Sequence, residues 1–272
     1  MNRLTSNLNH LILITGLLLM IIPVWVIFAS STHTSLFINT NGLQFILGDS
    51  FIENYSKVLF KKSGFFQEIT AMKMFLNSFI MATGIATLSV ATSLMAAYGL
   101  VYFRIKYASL FFWLIFITLL VPLELRIMPT YEVMSKLNLI NSYMGLILPI
   151  SASAIATFFF RQFYKSVPDE LLEAAKLDGA NSWKFFIDFL VPLSKTMIAA
   201  VFIFMFVFGY NQYLWPLIMT TTEQYWTVVM GLKTMYGSIS QRFAFVIMSM
   251  IPPVLIIIFL QRWFIQGIFQ DK

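Results

Sequence analysis

Apolar residues in this chain fall in long unbroken runs rather than in the alternation of a half-buried strand. Crossing a bilayer takes about 20 residues. Six runs meet that length, near Leu11–Ser30, Met74–Tyr98, Ala108–Pro129, Tyr143–Phe163, Thr196–Met219 and Ala244–Phe264. The pattern predicts an all-α, polytopic membrane protein with six transmembrane helices, residues 1–272 forming one transmembrane domain. Two longer polar loops are expected, at about 31–70 and about 164–195. The first run also has features of a secretory signal, with Arg3 and His10 ahead of it and Ala29-Ser30-Ser31 behind. It is longer than the apolar core of such signals and ends near Trp25, so it is read as an uncleaved anchor.

The loop at 164–195 has structure of its own. In Val167–Ala180, Pro168 suits a first helical position, and Asp169 and Glu170 suit the positive end of the helix dipole. Leu171, Leu172, Ala174, Ala175 and Leu177 are strong helix formers with an apolar side. Gly179 fits the left-handed stop, and Asn181 or Ser182 can cap a following helix. A charged helix-turn-helix between two spans offers a face to something else.

Basic residues set the expected orientation. Arg104 and Lys106 follow the second run, and Arg161, Lys165, Lys176, Lys184 and Lys195 mark the loop after the fourth. With Arg3 and Arg262 they place this side, and both termini, in the cytoplasm. Lys57, Lys61 and Lys62 in the opposite loop argue the other way, offset by Asp49, Glu53 and Glu68. The net charge of +6 therefore reflects topology rather than nucleic-acid binding.

Composition agrees. The chain is 59% hydrophobic and 11% charged, against about 25% charged in soluble domains, and its mean hydropathy is +0.80. There is no cysteine, so disulfides, thiolate metal sites and a cysteine nucleophile are excluded. No phosphate loop of the G-x-x-x-x-G-K-[ST] type occurs, and His10 and His33 lie far apart without a third ligand. Neither a catalytic residue nor a metal site is expected, and Glu124 is the one clear carboxylate at membrane depth, fewer than a proton-coupled carrier needs.

Two polar stretches interrupt the apolar runs. Glu124 and Arg126 lie between Pro122 and Pro129, where a regular helix is doubtful. Either Arg126 reaches for the surface and Glu124 pairs locally, or one or both line a solute pathway with Arg126 facing an anion. In Gly209–Pro216, the two end residues are expected to loosen the helix. Asn211, Gln212, Tyr213 and Trp215 between them are either an interfacial belt or part of a solute path. In the second run, Ala82, Ala86, Ser89, Ser93 and Ala97 line one face and predict close helix packing. Pro252-Pro253 is expected to interrupt and kink the last run.

Glu173-Ala174-Ala175, Gly179 and Pro192 match the pattern EAA-x3-G-x9-I-x-L-P, with Phe189 and Val191 replacing its isoleucine and leucine. This strongly resembles the EAA loop of binding-protein-dependent ABC importer permeases. Asn77-Ser78 and Gln261-Arg262 are similar to the carbohydrate-uptake (MalG-like) branch. Glu124-Leu125-Arg126-Ile127, Phe160-Arg161-Gln162-Phe163, Pro192–Thr196 and Asn211–Pro216 are similar to the UgpE-type permeases of sn-glycerol-3-phosphate importers. The resemblance implies a MetI-like transmembrane domain in the inner membrane. Glu173, Ala174, Ala175, Asp178 and Gly179 would then form the coupling helix that docks on an ATPase. It further implies a second, UgpA-type permease, two ABC ATPase subunits that carry ATP and magnesium, and an extracytoplasmic solute-binding protein. A neutral sugar as cargo, and a standalone carrier or channel, are the alternatives.

Overall fold

The computed structural model describes residues 3–60, 69–103 and 105–269. Lys61, Lys62, Glu68 and Arg104, used above for orientation, lie outside the described residues. Among the described residues there is no strand. The helices are α1 (Arg3–Ser31), α2 (Ser35–Asn41), α3 (Phe51–Phe60), α4 (Ala71–Tyr102), α5 (Ala108–Ile117), α6 (Leu123–Lys136), α7 (Tyr143–Ile147) and α8 (Ala154–Ser166). They continue as α9 (Asp169–Leu177), α10 (Ser182–Lys184), α11 (Val191–Leu193), α12 (Lys195–Tyr210), α13 (Leu214–Met219), α14 (Val228–Thr234) and α15 (Ile239–Phe269). Short 3-10 turns extend α5 and α7, and a π-helical stretch, Phe185–Leu190, joins α10 to α11.

The six expected spans appear in two forms. Leu8–Ser31, Ala71–Tyr102 and Ile239–Arg262 are continuous apolar helices. The other three are bent pairs, by 105° between Ala108–Leu120 and Glu124–Lys136, 48° between Tyr143–Ile150 and Ala154–Ser166, and 73° between Ser182–Leu193 and Lys195–Tyr210. The expected fifth span, Thr196–Met219, is corrected accordingly. Helix α12 has only 16 residues, about 24 Å, short of the hydrocarbon core of about 30 Å. Its length is completed across corners, at Ser194 on one side and at 211–213 on the other. A second correction concerns Pro252-Pro253, since α15 passes through both without a break. Proline's fixed φ is helical, and the pair costs two backbone donors rather than the helix itself.

The chain divides into two compact units, Met1–Phe75 with Met230–Pro252, and Leu76–Val229 with Pro253–Lys272. In the first unit, the most apolar stretch of α1 has no buried residue. Its end is fastened to the following loop instead. Asn54 Nδ2 donates to the carbonyls of Ser31 (2.9 Å) and His33 (2.8 Å). Thr32 Oγ1 accepts from the Gly48 amide (2.7 Å), and Ser31 Oγ pairs with the Tyr55 hydroxyl (2.9 Å). Burial raises the Tyr55 pKa, with the Ser31 hydrogen bond opposing.

In the second unit the small face of α4 is consumed by packing. Ala82, Ala86, Ser89, Ser93 and Ala97 are all buried, as expected. Gly209 of α12 meets this face so closely that a Cβ there would lie 3.1 Å from Ile85 Cδ1 and 3.2 Å from Ala82 Cα. Gly209 therefore does not loosen its helix, as the sequence suggested; it is helical and admits a close crossing. Lipid gives helices no hydrophobic reason to associate, so such contacts act through dispersion and hydrogen bonds. At the break between α7 and α8 two carbonyls face α4, that of Ser153 also accepting the Thr157 amide as the cap of α8. Thr92 Oγ1 reaches the Ser151 carbonyl (3.3 Å) and Ser93 Oγ the Ser153 carbonyl (3.2 Å), which is how an irregular backbone is tolerated at membrane depth.

Candidate functional site

Helix α9 is short and ends as its sequence dictates. Asp169 and Glu170 occupy its first turn and Lys176 its last, each matching the dipole. Pro168 sits one position before the helix, at the cap, rather than at the first helical residue. Gly179 adopts φ +77°, the Ala180 amide donates to the Ala175 carbonyl (2.9 Å) and the Gly179 amide to Lys176 (3.0 Å). That six-to-one closure is a glycine-stopped C-terminus, which an L side chain resists. Asn181 then caps the next helix, its Oδ1 accepting from the Lys184 amide at 2.8 Å.

What α9 buries is almost nothing. Ala175 is 1% exposed, while Leu177 is 89% exposed and Leu171 42%. Glu173, Ala174, Asp178 and Gly179 are exposed as well. The segment behind the helix is held firmly. Tyr98 Oη donates to the Ser182 carbonyl at 2.7 Å. Its ring lies 4.9 Å from that of Phe186, and Tyr102 lies 5.4 Å from Phe185. The 73° corner is closed by buried Ser194, whose Oγ donates to the Leu190 carbonyl at 2.6 Å. The result is a bare helix on an aromatic footing.

The polar residues singled out at membrane depth separate into different places. Arg126 and Trp215 line one cavity of about 340 Å³. Asn211 and Gln212 line another, apolar groove between α12 and α15. Their amides also have local work at the end of α12, Asn211 Nδ2 donating to the Val207 carbonyl (2.9 Å), which also takes the Asn211 backbone amide, and Gln212 Nε2 to that of Phe208 (3.2 Å). Glu124 and Tyr213 line neither space. Glu124 is exposed in the first turn of α6.

Asn77-Ser78, known from the sequence only as part of a resemblance, forms a further polar centre. Asn77, fully buried, donates from Nδ2 to the carbonyls of Gln224 (2.8 Å) and Trp226 (2.9 Å), and its Oδ1 accepts from Tyr143 Oη (2.7 Å). Ser78 Oγ accepts the Val228 amide (2.8 Å). Asn141, at φ 56°, takes the amides of Thr221 (2.7 Å) and Thr222 (3.2 Å) on its Oδ1, while its own amide donates to Met219 (3.0 Å). The sequence marked the Asn77-Ser78 pair by resemblance, but not its backbone partners, which lie some 150 residues further on. Nearby, both carboxylate oxygens of Glu223 are enclosed without a donor, and burial pushes its pKa up. Among the described residues no cluster of His, Asp or Glu could hold a metal ion.

Comparison with known proteins bears directly on these features. Residues 89–270, α9 included, match the family described as the binding-protein-dependent transport system inner membrane component. The chain is 41% identical over 277 residues to the sn-glycerol-3-phosphate transport system permease protein UgpE of Brucella melitensis, covering 99% of this chain and 98% of that one. It is 42% identical over 269 residues to UgpE of Yersinia pestis, covering 97% and 95%. Its fold matches, at a TM-score of 0.80 and 21% identity, a crystal structure of a bacterial ABC transporter involved in the import of the acidic polysaccharide alginate, over 96% of this chain and 97% of that one. The chain belongs to the family of binding-protein-dependent transport system inner membrane components, as a membrane permease subunit of a binding-protein-dependent ABC importer.

Proposed function

We propose that this permease moves sn-glycerol-3-phosphate inward across the cytoplasmic membrane, using ATP hydrolysed on partner subunits. The observation that carries the proposal is α9, a helix folded and stopped with care whose surface the chain itself leaves unused. Two ABC ATPase subunits hold ATP and magnesium; one offers α9 a cleft, where Glu173 meets a basic group. Ala174 and Asp178 face the cleft, Ala175 fixes the helix to its footing, and Gly179 ends the lever. A second, UgpA-type permease completes the membrane portion, and an extracytoplasmic binding protein delivers the solute. The α9 side and both termini are then cytoplasmic, and the loop at 31–70 lies outside.

Work is done by differential contact. When the ATPase dimer closes, its clefts carry α9 with them, and the spans exchange inward-open for outward-open arrangements. ATP biases that equilibrium because the dimer binds the two arrangements unequally. No side chain of this subunit makes or breaks a covalent bond in the scheme. The solute assignment is supported by the full-length relatives and by an arginine lining a membrane-depth cavity.

The test is reconstitution of the four kinds of subunit in proteoliposomes. Binding protein loaded with sn-glycerol-3-phosphate is expected to stimulate ATP hydrolysis and solute uptake together. Stimulation by a neutral disaccharide but not by the phosphate ester would replace the cargo and leave the machine. Uptake by this chain without an ATPase would make it a standalone carrier.

A further inference from the structure

The breaks that bend the third and fourth spans open onto one cavity. It is lined by Val121 and Pro122 at the first break, and by Ser153 and Ala154 at the second. A helix begins directly after each, α6 at Leu123 and α8 at Ala154. Both helix N-termini therefore border the same space. The leading N–H groups of a helix lack acceptors within it, and that end carries about half a positive charge. Ser153 Oγ accepts one such N–H in α8, that of Ala156 (3.2 Å), while α6 starts from Pro122 with no side-chain cap.

Among the described residues, Arg126 is the one charged residue lining this cavity. Among the described residues its guanidinium makes no ion pair or hydrogen bond, and Thr130 Oγ1 donates to its carbonyl. Trp215 forms part of the wall, 1% exposed, and its indole N–H is enclosed without an acceptor. Phe204 and Phe208 form the apolar part of the wall, and Arg126 is exposed. The volume of about 340 Å³ is near the lower limit of ligand cavities, about 300 to 1,000 Å³, and suits a small solute.

We propose that this cavity is an anion subsite for the phosphate of a small phosphomonoester, held by Arg126 and the leading N–H groups of α6 and α8. This rests on the importer reading and names the part of the solute it holds. A guanidinium offers phosphate two parallel donors, and two helix ends add leading N–H groups, the α6 end with the Glu124 carboxylate on its first turn. Glu124 stays outside the subsite, on the first turn of α6 but not in the lining. Asn211 and Gln212 are also outside it, because their donors close the end of α12.

The absence of cysteine makes a direct test available. In the reconstituted importer, Ala152→Cys, and separately Thr118→Cys, places a single thiol on this chain at the cavity wall. Labelling rates on this chain are compared for anionic and cationic methanethiosulfonates, each corrected by its rate with a free thiol. The anionic reagent is expected to react about tenfold faster, through focusing of charge in the cleft. Adding Arg126→Gln should abolish the preference, Arg126→Lys should retain most of it, and inorganic phosphate should slow labelling. Equal rates at both positions, or a preference indifferent to Arg126→Gln, overturns the subsite whatever the cargo. A preference that needs Arg126, together with no uptake of sn-glycerol-3-phosphate, upholds the subsite and overturns the cargo.

Discussion

Helix α9 and the asparagine centre around Asn77 and Asn141 use polar chemistry in opposite ways. At Asn77 every side-chain donor and the acceptor are engaged within the chain, and the residue is fully buried. On α9 the carboxylates and leucines are nearly all exposed, and one alanine is buried. The first pattern is what a group does when its interactions hold the fold. The second is what remains when a helix is built and its surface kept for another molecule. Changes at one should therefore disturb stability, and changes at the other should disturb coupling.

The largest expected effect is at Gly179. Its Cβ direction is open space, so Gly179→Val meets no neighbour in this chain, but φ +77° is denied to a β-branched residue. The end of α9 must unwind, and solute-stimulated ATP hydrolysis in the reconstituted complex should fall to the unstimulated level while the chain still inserts. Retained coupling would break the contrast. Asn77→Ala should act the other way. It strands two carbonyls and a hydroxyl, costing about 2 to 4 kcal/mol at roughly 1 kcal/mol each plus desolvation. Thermal unfolding of the detergent-solubilised protein reads that loss, and the protein that remains folded should still couple.

Smaller effects sharpen the boundary. Ser93→Ala removes one of the donors to the Ser153 carbonyl, which keeps the Thr157 amide, and should cost about 1 kcal/mol or less in the same unfolding measurement. Glu223→Gln should stabilise slightly at neutral pH. A carboxyl whose folded pKa is raised loses stability as pH climbs from its unfolded value of about 4.3 through the raised one. The advantage of the glutamine should thus appear at pH 7 and vanish below about pH 4, which melting curves at the two values would check.

How much of this was legible in the sequence depended on distance along the chain. The determinants of α9 lie within Val167–Ala180, so caps, dipole and stop were readable there, with Pro168 displaced by one position. The spans were readable as apolar runs, and interruptions were expected at Pro122–Pro129 and Gly209–Pro216, but the corners before α8 and at Ser194 were not readable. Nothing local says that the interruption within Gly209–Pro216 falls at 211–213 with Gly209 still helical, or that Pro252-Pro253 will stay helical. The cavity was the least readable feature. Arg126 and Trp215 were each noticed, yet Trp215 was grouped with Asn211 and Gln212 because they adjoin in sequence. The break after α12 sends them to different spaces, and the wall that unites Trp215 with Arg126 comes from segments scattered between Thr118 and Trp215. Ser93 was taken for packing alone, because its acceptor, the Ser153 carbonyl, exists only once the fourth span has bent.

Site-directed cross-linking from α9 tests the central claim most directly. Ala174→Cys puts one thiol on the exposed face of the helix in a chain that has no other, and a bifunctional reagent is added to the assembled importer. An adduct with the ATPase subunit, with a yield that changes when ATP is supplied, is the predicted result. Efficient reaction of that thiol with no adduct to an ATPase, with or without ATP, would contradict the account.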